Sequence, residues 1–247
     1  MKRMASFGLI EPYWKTERAK HHLQELKTAI EHFSNSKPYI ISAEDDIENE
    51  VHRIRVKFSE PHCWIHLIAG DIFYCLRSAL DQAVYYLAKD SFPYPDWTQF
   101  PIFDEDTAET RKRFARYTRG VDSEAVSFIK SLQPYVGLNR EPLTAHMLWM
   151  LNKMCNIDKH RRIPIRGCAT DISFKLPPWA SVTKTNEGCI ITVPPSRKLE
   201  VAFDPIFSVD VSFGDSSEGV EIGVEGIEEI YNFVREYVLP RLARFCK

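Results

Sequence analysis

The first two thirds of the chain place apolar residues three or four positions apart, the spacing of amphipathic helices. A first helix is predicted over 17–33, with the apolar positions Ala19, Leu23, Leu26, Ile30 and Phe33. A long helix is predicted from about Pro61 to Lys89, and a basic one follows at "ETRKRFARYT". Two more are predicted over 123–132 and from Pro142 onward. Together they indicate a helical bundle over residues 1–161.

After Arg162 the pattern changes to short alternating or β-branched runs separated by turn residues, which is typical of strands. These runs are "DISFKL", "GCIITV", "KLEVAF", "SVDVSF" and "GVEIGV". The earlier segment "HRIRVKF" also alternates, and fits either a strand or the start of a long helix. A final helix is predicted over 226–245, with Pro240 expected to bend or shorten it. The predicted class is α+β: a mainly helical bundle, then over 162–247 a small antiparallel β unit with a C-terminal helix that packs back on the rest.

The predicted long helix carries charges among its apolar residues. At about 100° per residue, the apolar positions share one broad arc: Ile65, Ile72, Leu76, Ala79, Leu80, Ala83 and Leu87. The opposite side holds Asp71, Cys75, Ser78 and Gln82, with Asp81 beside them and Arg77 at the border of the two faces. An unpaired charge in apolar surroundings is costly. We therefore predict that Arg77 and Asp81 are partly buried and engage a partner outside their own helix.

A second group of chemically active side chains stands at the end of the last bundle helix, in "NIDKHRR". Cations stabilise a helix C-terminus, so one interpretation is a basic cap. The other is an anion or phosphate site, in which His160 transfers a proton and Lys159 or Arg161 stabilises negative charge. The basic run "TRKRFARYTR" also has two interpretations. It is either a solvated helix face or a surface that binds a nucleic-acid backbone and stacks on bases.

Composition narrows the classes of partner and compartment. The 247 residues are 44% hydrophobic, enough for a sizeable core, and the net charge of -2 gives no overall basic field for nonspecific binding to DNA or an anionic membrane. The most apolar stretch, Trp64–Leu76, is too short and too charged for a membrane span. Six scattered cysteines without a C-x-x-C pair favour reduced thiols in a cytoplasmic protein. No metal and no cofactor are expected.

Residues 70–82, "GDIFYCLRSALDQ", resemble the pattern G-D-x-x-x-N-L-R-S-A-L-D-H of a family of uncharacterised bacterial proteins. "TQFPI" (98–102), "SLQPY" (131–135) and "NIDKHR" (156–161) extend the resemblance over most of the helical half. The pattern's arginine and histidine are also similar to the signature of HEPN domains, helical bundles that include ribonucleases and nucleotide-binding members. Here Cys75 stands for the pattern's asparagine and Gln82 for its histidine. Because glutamine cannot exchange a proton near neutral pH, Gln82 argues against ribonuclease activity.

The resemblance implies a HEPN-like RNA- or nucleotide-binding protein, such as a ribonuclease-related toxin or defence component. A metal-independent ribonuclease would use Arg77, Asp81 and His160 as its catalytic residues. The residues expected to bind ligand are Asp71, Gln82, Asn156, Asp158, Lys159 and Arg161. The alternative is a noncatalytic protein-interaction module in which the buried charge network is structural.

The charged side of the long helix and "NIDKHR" are predicted to form one site, because the helix before "NIDKHR" has an apolar face suited to packing against the long helix. This site would bring together Asp71, Arg77, Asp81, Asp158 and His160. If Arg77 and His160 lie on opposite surfaces of one chain, a symmetric homodimer is the arrangement that would still join them.

Overall fold

The chain is built as two compact units that interleave along the sequence. The computed structural model describes residues 7–46, 51–88, 97–137, 146–172, 179–185, 188–194, 207–215 and 220–246. The first unit comprises residues 1–26, 66–164 and 214–247, and the second comprises residues 27–65 and 165–213. Helices, small antiparallel sheets and a C-terminal helix are all present, so the chain is α+β.

The elements follow the predicted order of helices, then strands, then a helix, with one early pair of strands. The described helices are α1 (Ile10–Asn35), α2 (Cys63–Ala88), α3 (Ala108–Tyr117), α4 (Ser123–Ser131), α5 (Pro134–Gly137), α6 (Met147–His160), α7 (Val224–Asn232) and α8 (Leu239–Leu242). The described strands are β1 (Tyr39–Asp46), β2 (Val51–Phe58), β3 (Ile165–Ile172), β4 (Ser181–Thr185), β5 (Gly188–Val193), β6 (Phe207–Asp215) and β7 (Val220–Ile222). The predicted helix start at Pro142 and the predicted strand "KLEVAF" lie outside the described residues.

Helix α2 contributes residues 66–88 to the first unit. Its apolar arc is buried as its periodicity predicts, with Ile72, Leu76 and Leu80 fully inaccessible to solvent. By length and composition alone, helix α2 could cross a membrane. The shorter stretch Trp64–Leu76 was expected from its sequence to be unable to do so. However, 67% of the most apolar window of α2 is buried inside the protein, as in the core helix of a soluble protein.

The C-terminal segment belongs to the first unit, where α7 packs against α6. Between α7 and α8 the backbone widens into a π-helical segment, Phe233–Val238. Pro240 lies two residues beyond it, and because the proline ring has no N–H to donate and displaces the carbonyl one turn earlier, a change of hydrogen-bond spacing before it is expected. Within this segment the Arg235 guanidinium stacks 4.8 Å from the centre of the Tyr13 ring and donates to Thr16 Oγ1 at 2.6 Å. Arg235 therefore ties the C-terminal segment to α1.

The second unit contains an antiparallel sheet in the order β1-β2-β5-β4. The segment "HRIRVKF" is strand β2, and its Ile54 lies opposite the buried Ile191 of β5. The predicted boundary near residue 161 does not separate the strands from the helices, because β5 pairs with β2 on one side and β4 on the other. The β-branched run of β5 suits such a central position, with neighbours on both edges.

Candidate functional site

Arg77 ties α2 to the loop that precedes α3. Only 5% of its surface is exposed, and its Nη2 atom donates to the backbone oxygen of Phe100 at 2.7 Å. The same Nη2 lies 3.0 Å from Oδ1 of Asp81, one helical turn along α2. The backbone N–H of Phe100 donates to that Oδ1 at 2.9 Å. One residue of the loop is thus held through both its N–H and its carbonyl by an ion pair of which Arg77 is buried and Asp81 is half-buried.

The prediction that Arg77 and Asp81 are partly buried and engage a partner outside α2 is confirmed. Burial raises the pKa of Asp81, and the adjacent Arg77 guanidinium acts in the opposite direction. Arg77 also lies near the thiol of Cys155 on α6, whose pKa burial raises to about 12. These groups pair with each other and with backbone atoms, which favours a structural role for the cluster over proton transfer to a substrate.

A second buried polar side chain fastens the same loop. Gln133, just before α5, is fully buried. Its Nε2 donates to the backbone oxygens of Pro101 and Ile129 at 2.8 and 3.1 Å, and its Oε1 accepts from the N–H of Phe103 at 3.1 Å. The motifs "TQFPI" and "SLQPY" are therefore joined directly by the hydrogen bond from Gln133 to Pro101.

The motif "NIDKHR" meets α2 at a different place, near Gly70. A Cβ atom built on Gly70 would lie 2.5 Å from Oδ1 of Asp158, so the carboxylate of Asp158 occupies the space that a side chain would need. Burial raises the pKa of Asp158, and the charge of Asp71 raises it further. His66 faces the same region: burial and Arg162 lower its pKa, against the effect of Asp158. The imidazole of His66 and the carboxyl groups of Asp71 and Asp158 therefore form an electrostatically coupled group at this end of α2.

The structure thus places the predicted site residues in two groups. Arg77 and Asp81 lie with the loop before α3, whereas Asp71 and Asp158 lie near Gly70, about two turns earlier in α2. Of the remaining predicted residues, Lys159 acts electrostatically on Asp81, and Gln82 has a buried Oε1 that accepts no hydrogen bond from a described residue. The last three, Asn156, His160 and Arg161, are exposed at the end of α6.

The close approach at Gly70 gives a test of the second group. We expect Gly70→Ala to force the Asp158 carboxylate, the far end of a flexible side chain, to move aside. In an Asp158→Ala background the same substitution should stabilise the protein by about 0.5–1 kcal/mol, because alanine favours the helix over glycine, and in the natural chain this gain should be smaller or lost. Urea denaturation of the four chains measures this difference. An equal Gly70→Ala effect in both backgrounds would show that Asp158 does not occupy this space in solution.

Helix α3 presents arginines that rest on aromatic rings. The guanidinium of Arg113 lies 5.2 Å from the centre of the Phe103 ring, and that of Arg116 lies 5.1 Å from the Tyr117 ring. Just beyond the helix, Arg119 lies 5.6 Å from the Trp97 ring. All three arginines are exposed. Contact with a ring orients each guanidinium, and Nη2 of Arg113 also donates to the hydroxyl of Tyr117 at 3.2 Å.

A cavity of about 440 Å³ lies beside the same helix. Its walls include the rings of Phe103, Phe114 and Tyr135, and its polar lining includes Asp106, Arg111 and Lys130. Arg111 binds Asp106 through two hydrogen bonds of 2.7 and 3.0 Å, which lower the pKa of the Asp106 carboxyl. The volume falls within the range of about 300–1,000 Å³ that is usual for ligand pockets.

Sequence reasoning identified the basic helix but not this cavity, whose lining comes from a loop, α3, α4 and α5. The signal that was available is the aromatic residue in "SLQPY", Tyr135, close to Lys130. Among the described residues, no group of three or more His, Cys, Asp or Glu side chains is placed to hold a metal ion. Comparisons with protein-family models, with curated proteins and with solved structures found no match for this chain.

Proposed function

We propose that this chain is a HEPN-like, noncatalytic RNA- or nucleotide-binding protein whose binding surface is the arginine face of α3. This face is defined by Arg113, Arg116 and Arg119 with the rings on which they rest. The HEPN-like character rests on the resemblance of the α2 motif. The binding role is supported by one observation above all: three exposed guanidinium groups of one short segment each lie against an aromatic ring.

The chemistry of this face suits a single-stranded nucleic acid. A stacked guanidinium is already oriented, so it loses less conformational freedom when its N–H edge binds a phosphate. Between 109 and 119 the sequence has five cations and one carboxylate, although the whole chain has a net charge of -2. A local basic surface with interleaved aromatic rings binds a flexible strand through its phosphates and its bases.

Binding is favoured over cleavage by the state of the other candidate residues. Arg77 and Asp81 are already engaged with Phe100, and Gln82 cannot act as an acid or base. His160 is exposed at the end of α6 and makes no hydrogen bond or ion pair with a described residue. The proposed function therefore places no reaction step at these side chains.

Fluorescence anisotropy with a labelled single-stranded RNA dodecamer tests the proposal. We expect the double variant Arg113→Gln/Arg116→Gln to bind at least about tenfold more weakly at low salt, because two phosphate contacts are lost. The slope of the logarithm of affinity against the logarithm of salt concentration should become shallower by about 1.4, since each phosphate contact to a single strand contributes about 0.7.

The matched control is Arg241→Gln, which removes another stacked arginine, 3.6 Å from the Tyr237 ring, in α8. This variant should keep the affinity and the salt slope of the natural chain. Equal losses in both variants, or no RNA binding by the natural chain at low salt, would contradict an RNA-binding role for the arginine face of α3.

A further inference from the structure

The cavity beside α3 combines apolar aromatic walls with charges of both signs. Phe103 comes from the loop before α3, Phe114 from α3 itself and Tyr135 from α5. Three rings from three segments enclose a space in which a planar ring system can stack, since aromatic groups pair favourably in offset or edge contacts. The walls alone would accept any flat apolar molecule.

The charged side chains narrow this choice. Asp106 is bound by Arg111 through both of its oxygens, so these two charges largely cancel. Lys130 on α4 also lines the cavity, and its charge acts on Asp106 as well, which places it near the same pair. Two cations therefore face one carboxylate, which leaves one positive charge in excess. A ligand with a single anionic group next to its ring system is electrostatically matched to this lining.

The cavity also adjoins the arginine face of α3. Phe103 forms part of the cavity wall and at the same time carries the stacked guanidinium of Arg113. Phe103 is therefore the residue through which the arginine face and the cavity are in contact. A base that enters an aromatic pocket gains stacking energy, and this gain depends little on which base it is.

We propose that this cavity binds one mononucleotide unit, with the base against Phe114 and Tyr135 and the phosphate at Lys130. The inference rests on the proposed function, which it deepens by naming the ligand: a base with one phosphate, either as a free nucleotide or as a nucleotide of a bound RNA strand. The hydroxyl of Thr110 and that of Tyr135 also belong to the lining, where polar groups can meet the edge of the base.

Isothermal titration with UMP and AMP tests the cavity without any RNA. Both should bind the natural chain, and uridine, adenosine and inorganic phosphate should each bind at least about tenfold more weakly, because each lacks either the charged contact or the stacked ring.

Ala115 lines the cavity and is exposed on α3, so Ala115→Trp should fill the cavity and weaken nucleotide binding at least about tenfold. Ala108→Trp, at an exposed position of the same helix that is not part of the lining, is the matched control and should bind UMP and AMP normally.

Binding of the RNA dodecamer distinguishes a free nucleotide from a nucleotide of a bound RNA strand as the ligand of the cavity. If the cavity takes a nucleotide of the strand, Ala115→Trp weakens RNA binding about tenfold without changing its salt slope, since a stacked base is lost but no arginine contact. If it takes a free nucleotide, Ala115→Trp leaves RNA binding unchanged and UMP does not compete with RNA. The inference is overturned if UMP and AMP fail to bind, or if they bind Ala115→Trp and the natural chain equally well. If the natural chain binds UMP and AMP but not RNA, the arginine face is removed from the proposed function, while the inference that the cavity binds a nucleotide still stands.

Discussion

Arg77→Ala is expected to lower the free energy of unfolding by about 1.5–3 kcal/mol, because it removes a buried hydrogen bond and the cation beside Asp81, whose side chain is 35% exposed and keeps part of its solvation. Asp81 would lose its cation, and the backbone oxygen of Phe100 would lose its donor. Urea denaturation followed by circular dichroism measures the change. Because the alanine variant is severe, Asp81→Asn is a milder second test: the amide oxygen still accepts from the N–H of Phe100, so the loss should be smaller but in the same direction.

The control for this prediction is an ion pair on the surface. Arg55 and Glu44 in the second unit lie 2.6 Å apart, with 53% and 50% of their side chains exposed. Because solvent screens such a pair, Arg55→Ala should cost no more than about 1 kcal/mol. If Arg77→Ala lowers the free energy of unfolding as little as Arg55→Ala does, the structural role assigned to the pair of Arg77 and Asp81 is contradicted.

Gln133→Leu is expected to cost about 2 kcal/mol or more, because a side chain of similar size then leaves the backbone N–H of Phe103 and the carbonyl of Pro101 without this partner in a buried site. The carbonyl of Ile129 also loses its bond to Gln133 but keeps the backbone N–H of Leu132. Hydrogen exchange provides a local readout: the amide of Phe103 should lose protection by a larger factor than amides in α6.

The matched control is Ser131→Ala, two residues earlier. The Ser131 hydroxyl donates to the backbone oxygen of Phe128 at 2.7 Å, but it does so at an exposed position where water can replace it. Its loss should therefore change stability by no more than about 0.5 kcal/mol. Unchanged exchange at Phe103 in Gln133→Leu would show that the loop is held by other contacts.

The helices were more predictable than the contacts that join them. The long helix was expected from about Pro61 to Lys89, and α2 covers Cys63–Ala88 within the described residues, because a regular apolar period marks a buried helix face clearly. The burial of Arg77 followed from the same period. The partner of Arg77 could not be predicted from the sequence, because Phe100 bonds through its backbone atoms, which are the same for every residue type.

The strand pairing was the least predictable part of the fold. Alternation in "HRIRVKF" identifies a strand, yet it does not say which other strand lies beside it, because the alternating pattern of one edge suits many partners. The separation of the predicted site into two groups has a similar origin. The spacing along α2 puts Asp71 and Asp81 on related faces, but their distance along the helix axis is about 15 Å, too far for one compact cluster.

The pairing of β2 with β5 has a consequence for how the chain is made. The hairpin β1–β2 is complete once residue 58 has left the ribosome, but β5 follows more than a hundred residues later. Until then one edge of β2 has no neighbour, and an open edge invites pairing with other nascent chains. Arg53, Arg55 and Lys57 alternate along this strand, and such charges act as gatekeepers against association. A chain that ends near residue 161 would therefore have β1 and β2 without β5 and β4. It would also lack the part of the first unit that residues 214–247 supply.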